Sequence, residues 1–179
     1  MLLKRHAQFK EEINMIQALR VDERLIHGQI AMVWSRELNL DGIVVANDAA
    51  AENEAQQMAL KMAVPNGIKV IVKSIDGAIE LLQDPRADKM KLFVLVRTVA
   101  DAEKLAEALP APKIKYVNIG NVGKASEEEK TTLTQFVMLT QSEIAALKKL
   151  VALYPETALQ NLPSDKKELA SRFITEKNL

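Results

Sequence analysis

The stretch RVDERLIHGQI (residues 20–30) sets two arginines, two acids and one of the chain's two histidines against a single glycine. Its two flanks differ in period. Upstream, IQALRV (16–21) is a short apolar run of the kind that forms a buried strand. Downstream, GQIAMVWSREL (28–38) carries Ile30, Val33, Trp34 and Leu38 at helical spacing. The polar cluster therefore sits where a strand passes into a helix, and the same alternation recurs along the chain.

GIVVAND (42–48) reads as a second strand, apolar enough along its length to be buried on both faces. A helix over 49–64 follows, closed by Pro65, Asn66 and Gly67. Strands at 68–73 and 91–98 bracket a helix at 74–84, with Ser74 as its cap. A helix at 99–109 ends before Pro110 and Pro112. Then come a strand at 115–121, another at 134–140, a helix starting at Thr140 or Ser142 and running to about Leu153, a short strand at 157–163 and a closing helix at 164–173. Repeated strand-then-helix units predict an α/β single domain, with a mainly parallel central sheet and helices on both faces. Such sheets bind ligands beyond the carboxyl ends of their strands. His27, Asn47 and Asp48, Arg97 and Thr98, and residues 118–121 all fall there.

A chain of 179 residues is long enough to bury one core without a staple. It has no cysteine, which removes disulfides, thiolate nucleophiles and cysteine–zinc sites. With only two histidines besides, no transition-metal site is expected. The 24 basic and 24 acidic residues cancel, so no field for nucleic acid is expected. No apolar run reaches the ~20 residues of a membrane span. The first fourteen residues read as an N-terminal extension, with His6 solvated, and the domain proper begins at Met15 and runs to residue 179. NIGNVG (118–123) lacks the spacing of a dinucleotide fingerprint and suits a pocket wall instead.

For His27 the residues leave two readings open: a histidine that caps the helix, or one that does chemistry. A neutral imidazole is a nucleophile, and imidazoles ordinarily titrate near ~6.5. Once phosphorylated it needs donors. Arg24 offers a planar fork for phosphate oxygens, and the helix start behind Gly28 offers backbone amides. Gly28 removes a side chain where a phosphate or a partner approaches. Asp22 or Glu23 is placed to orient an arginine or the imidazole. Arg20 is either a second phosphate clamp or a strand-end arginine in an ion pair. Asn47 and Asp48 read as helix caps. Three functions fit these residues: a phosphoryl carrier, an anion-recognising module using Arg20 and Arg24, or an acid–base enzyme acting on a small metabolite.

RVDERLIHGQIAMVW resembles the active-site segment of the enzyme IIB subunit of the bacterial phosphoenolpyruvate-dependent sugar phosphotransferase system, mannose/fructose/sorbose family. That family reads R-[IV]-D-[DE]-R-L-I-H-G-Q-V with a tryptophan shortly after, and only Ile30 departs from it here. IVVANDAAAENEAQQMAL and VNIGNVGK are similar to further family segments, so the likeness spans about residues 16–173. The resemblance implies a protein-Nπ-phosphohistidine–sugar phosphotransferase of the EC 2.7.1 class. His27 would take a phosphoryl group on its δ1 nitrogen from a phosphorylated IIA protein and pass it to a sugar carried by the membrane subunits IIC and IID. Arg24 would stabilise that group, with Arg20, Asp22, Gly28 and Gln29 in support. It implies no cofactor and a cytoplasmic protein held at the inner membrane face through IIC and IID. Self-association is left open, as is the sugar: mannose, fructose, sorbose, or an amino sugar such as N-acetylgalactosamine, toward which Asn121 after Gly120 leans. A relay that meets two partners should be shallow and exposed. The long N-terminal extension and the weakly patterned segment YPETALQNLPSDKKEL depart from the family.

Overall fold

The computed structural model describes residues 16–179; the expected extension at 1–14, with His6 and Met15, lies outside them. Seven strands form one sheet in the order β3-β2-β4-β1-β5-β8-β9. They are β1 (Ile16–Asp22), β2 (Gly42–Ala46), β3 (Lys69–Lys73), β4 (Leu92–Val96), β5 (Val117–Asn121), β8 (Ala158–Leu159) and β9 (Glu168–Leu169). All neighbours pair in parallel except β8 with β9 at the edge. The uninterrupted apolar runs of β2 and β4 are buried throughout, as strands covered on both faces must be. The edge strand β3 begins and ends on exposed lysines, which blunt its unpaired side.

Helices cover both faces, as the sequence predicts. α1 (Gly28–Glu37), α2 (Asp48–Ala51) and α3 (Glu54–Met62) lie over a cluster in which Leu25, Trp34 and Leu60 meet Val45, Phe93 and Leu95. α4 (Ile75–Gln83), α5 (Val99–Ala108), α6 (Gln141–Leu153) and α7 (Ala170–Glu176) lie over the other, where Leu82, Leu105, Leu147 and Phe173 meet Val94, Val96 and Ile119. Each such buried side chain contributes about 1.5–3 kcal/mol of transfer free energy. Ser74, Thr98 and Thr140 cap α4, α5 and α6, and Thr140 forms a full capping box with Glu143.

Four local expectations are corrected. The helix at 49–64 is two helices, because the Asn53 side chain takes the Gln56 amide and starts a new one. The strand at 134–140 is instead an antiparallel hairpin outside the main sheet, β6 (Thr131–Thr134) with β7 (Val137–Leu139). The last helix begins later than residue 164, because Asp165 ties the chain back on Leu162 and β9 intervenes before α7. On α1 the buried stripe runs through Ala31 and Trp34, while Val33 is 42% exposed.

Candidate functional site

The site grows from one strand. Side chains two residues apart on a strand share a face, so Arg20 and Asp22 of β1 lie side by side. Both are fully buried. The Arg20 guanidinium donates to Asp22 through Nη2 at 3.1 Å and through Nε at 3.4 Å. Its Nη1 donates to the Asn118 side chain and to the Gln160 carbonyl, the latter at 3.0 Å. Trp34 covers it, with the guanidinium carbon 5.3 Å from the ring centroid. Gly120 completes the chamber: a Cβ there would come within 2.1 Å of the guanidinium carbon. With every donor directed inward and no exposure, Arg20 takes the ion-pair alternative rather than that of a direct phosphate clamp.

Asp22 is the hub. Oδ2 faces Arg20 and, at 3.2 Å, Nε2 of His27. Oδ1 accepts the Arg24 backbone amide at 3.1 Å and faces Arg24 Nε at 3.5 Å. Burial alone pushes its carboxyl pKa up, but the His27 hydrogen bond, the Arg20 charge and the Arg24 amide outweigh it, leaving the group below its ordinary value. Asp22 is therefore an anion that only accepts. The hydrogen shared with His27 must then sit on Nε2, so the uncharged tautomer compatible with this bond is the one that keeps its lone pair on Nδ1.

His27 occupies the N-cap position of α1 in extended conformation, yet its side chain makes no capping bond. The capping alternative is thereby set aside. Its side chain is 23% exposed and that of Arg24 49% exposed, so both stand at an open surface. Gly28 is also exposed, and a Cβ on it would meet nothing within 4 Å. Gln29 lies in the first turn of α1; its side chain is outside the described ones.

Two residues hold the loop: Leu25, which the sequence did not single out, and Glu23, which it read as a candidate to orient an arginine or the imidazole. Leu25 has φ +57°, a left-handed conformation unusual for a branched side chain, and is 1% exposed. Its burial among the residues under α1 offsets that strain and fixes the turn from Asp22 to His27. Glu23 points away from His27 and accepts the amides of Gly123, Lys124 and Ala125, tying this loop to the one after β5. Asn47 and Thr98 are helix caps.

The family model described as the PTS system sorbose subfamily IIB component matches residues 16–179. A probable phosphotransferase enzyme IIB component of Streptococcus pyogenes is 46% identical over 165 residues, covering 89% of this chain and 99% of its own. The mannose-specific EIIAB component of Escherichia coli is 31% identical over 153 residues, covering 86% of this chain and 46% of its own. Among solved structures, the IIBSor domain of the sorbose permease from Klebsiella pneumoniae superposes with a TM-score of 0.81 at 30% identity, over 90% of this chain and 96% of its own. Among the described residues no helix is long and apolar enough to cross a membrane.

Proposed function

Since this chain belongs to the sorbose subfamily of IIB components of the sugar phosphotransferase system, we propose that His27 is its phosphoryl carrier and Nδ1 the atom that carries it. The observation behind this reading is the Asp22–His27 hydrogen bond. It occupies Nε2, fixes the tautomer, and leaves Nδ1 as the nucleophile beside an exposed arginine. Nδ1 attacks the phosphorus of phosphohistidine on a IIA protein, and the bond from phosphorus to the IIA imidazole breaks as the new P–N bond forms. The electron pair leaves with the IIA ring. Asp22 then faces the positive ring of phosphorylated His27, and Arg24 holds the phosphoryl oxygens. In the second step a sugar hydroxyl attacks phosphorus and gives up its proton to solvent as the P–O bond forms, while the bond from phosphorus to Nδ1 breaks and its electron pair returns to the ring.

Arg20 acts through Asp22, holding the carboxylate charged and in place. Gly28 keeps the approach to the ring open. Gln29 lies in the same first turn and supports the phosphoryl group. The domain runs from residue 15, and residues 1–14 are an extension to it. IIA is the donor, and IIC and IID present the sugar, which places the chain in the cytoplasm at the inner membrane face. Phosphoenolpyruvate with the general phosphotransfer proteins and a cognate IIA should add one acid-labile phosphate to the intact chain. His27→Ala should take none. Equal labelling of the two would remove His27 from the role.

A further inference from the structure

Glu23 also forms part of the wall of a cleft of about 280 Å³, lined among others by Asn47, Arg97, Thr98, Ser126 and Glu143. It opens at the carboxyl ends of the sheet. Here β2 leads into helices on one face and its neighbour β4 leads into α5 on the other. Such a reversal of direction leaves a crevice suited to a ligand.

Arg97, which follows β4, is the group the fold leaves unexplained. It is half-buried in this crevice, yet among the described residues its guanidinium makes no hydrogen bond or ion pair. The carboxylates that line the cleft bond elsewhere than to Arg97, Glu23 with three loop amides and Glu143 through one oxygen in the α6 cap. The Asn47 side-chain oxygen takes the Ala50 amide, which leaves its NH2 as a donor at the cleft. Ser126 accepts the Glu128 amide and retains its hydroxyl hydrogen to donate, while the Thr98 hydroxyl is spent on Asp101. A bidentate cation, an amide and a hydroxyl beside carboxylate oxygens match a ligand with an anionic end and several hydroxyls.

We propose that this cleft binds a phosphorylated polyol of monosaccharide size, its phosphate on Arg97 and its hydroxyls on Asn47, Ser126 and the free lone pairs of Glu23 and Glu143. Choosing a sugar phosphate within that class rests on the phosphotransfer reading above. Glu23 joins the cleft wall to the His27 loop, so an occupant is felt one residue from Asp22 and Arg24.

The test is titration of the full-length protein by amide and arginine side-chain NMR with mannose 6-phosphate, N-acetylgalactosamine 6-phosphate, inorganic phosphate and free mannose. A saturable response from Arg97 and residues 123–126 to a sugar phosphate is expected, with inorganic phosphate and free sugar each at least about tenfold weaker. Arg97→Gln should weaken the sugar phosphate by about tenfold or more, while His27 is still phosphorylated at the wild-type rate. Undiminished binding to Arg97→Gln, a response confined to His27 and Arg24, or no saturable response to either sugar phosphate would overturn the proposal. Loss of phosphorylation in wild type with the cleft still binding would count against the carrier role alone.

Discussion

Replacing Asp22 with asparagine tests how the buried pair and the imidazole are linked. Both carboxylate oxygens are ringed by donors: Oδ2 by Arg20 and His27, Oδ1 by the Arg24 amide and side chain. An amide nitrogen in either place sets donor against donor and leaves the Arg20 charge buried at 0% exposure without its counter-ion. Removing one partner of a buried pair costs about 3–5 kcal/mol, and the oxygen that asparagine keeps puts this case near 3 kcal/mol. With the amide nitrogen at Oδ2, His27 must accept through Nε2, so its hydrogen moves to Nδ1 and the nucleophile is lost. A rate loss of about 10²–10⁴-fold follows for phosphoryl transfer. Urea unfolding reads the first quantity, and rapid-quench intact-mass kinetics with phosphorylated IIA reads the second. Stability within about 0.5 kcal/mol of wild type, together with a rate within about threefold, would refute the reasoning.

Gly120→Ala pushes a Cβ into the Arg20 guanidinium and should cost about 1–3 kcal/mol of overpacking, read by urea unfolding. Leu25→Gly relieves the left-handed strain but removes a buried side chain, so a net loss of about 2 kcal/mol is expected from the same measurement. Gly28→Ala should leave stability within about 0.5 kcal/mol, since its Cβ meets nothing, yet slow transfer from IIA if a partner closes on that surface. The depressed pKa of Asp22 gives a pH signature. Its contribution to stability is complete above the ordinary carboxyl range near ~3.9 and is lost as pH falls through the lower folded-state value. Urea midpoints followed into acid should therefore fall less steeply in Asp22→Asn than in wild type.

The parallel sheet was legible because β1, β2 and β4 are short apolar runs and the helices after β2, β3 and β4 open on capping residues. The hairpin at β6 and β7 was not, since Val137 and Leu139 alternate as a strand in the main sheet would. At the site, His27, Arg24 and Asp22 stood out from one stretch of sequence. The pairing of Arg20 with Asp22 was implicit in their two-residue spacing, which puts them on one strand face. Asn118 and Gly120 were placed by the strand pattern at the same sheet edge as His27, but that they and Gln160 close on Arg20 follows only from the pairing of β1 with β5 and of β5 with β8. Of Asp22 and Glu23, both read as able to orient an arginine or the imidazole, Asp22 does so, while the Glu23 carboxylate holds the amides of residues 123–125.

The most direct measurement is nitrogen-15 NMR of the imidazole after phosphorylation by IIA. Phosphorus coupled to Nδ1 of His27, with Nε2 still carrying its hydrogen toward Asp22, is the predicted result. A phosphoryl group on Nε2 would contradict the account, since that nitrogen is the one Asp22 occupies.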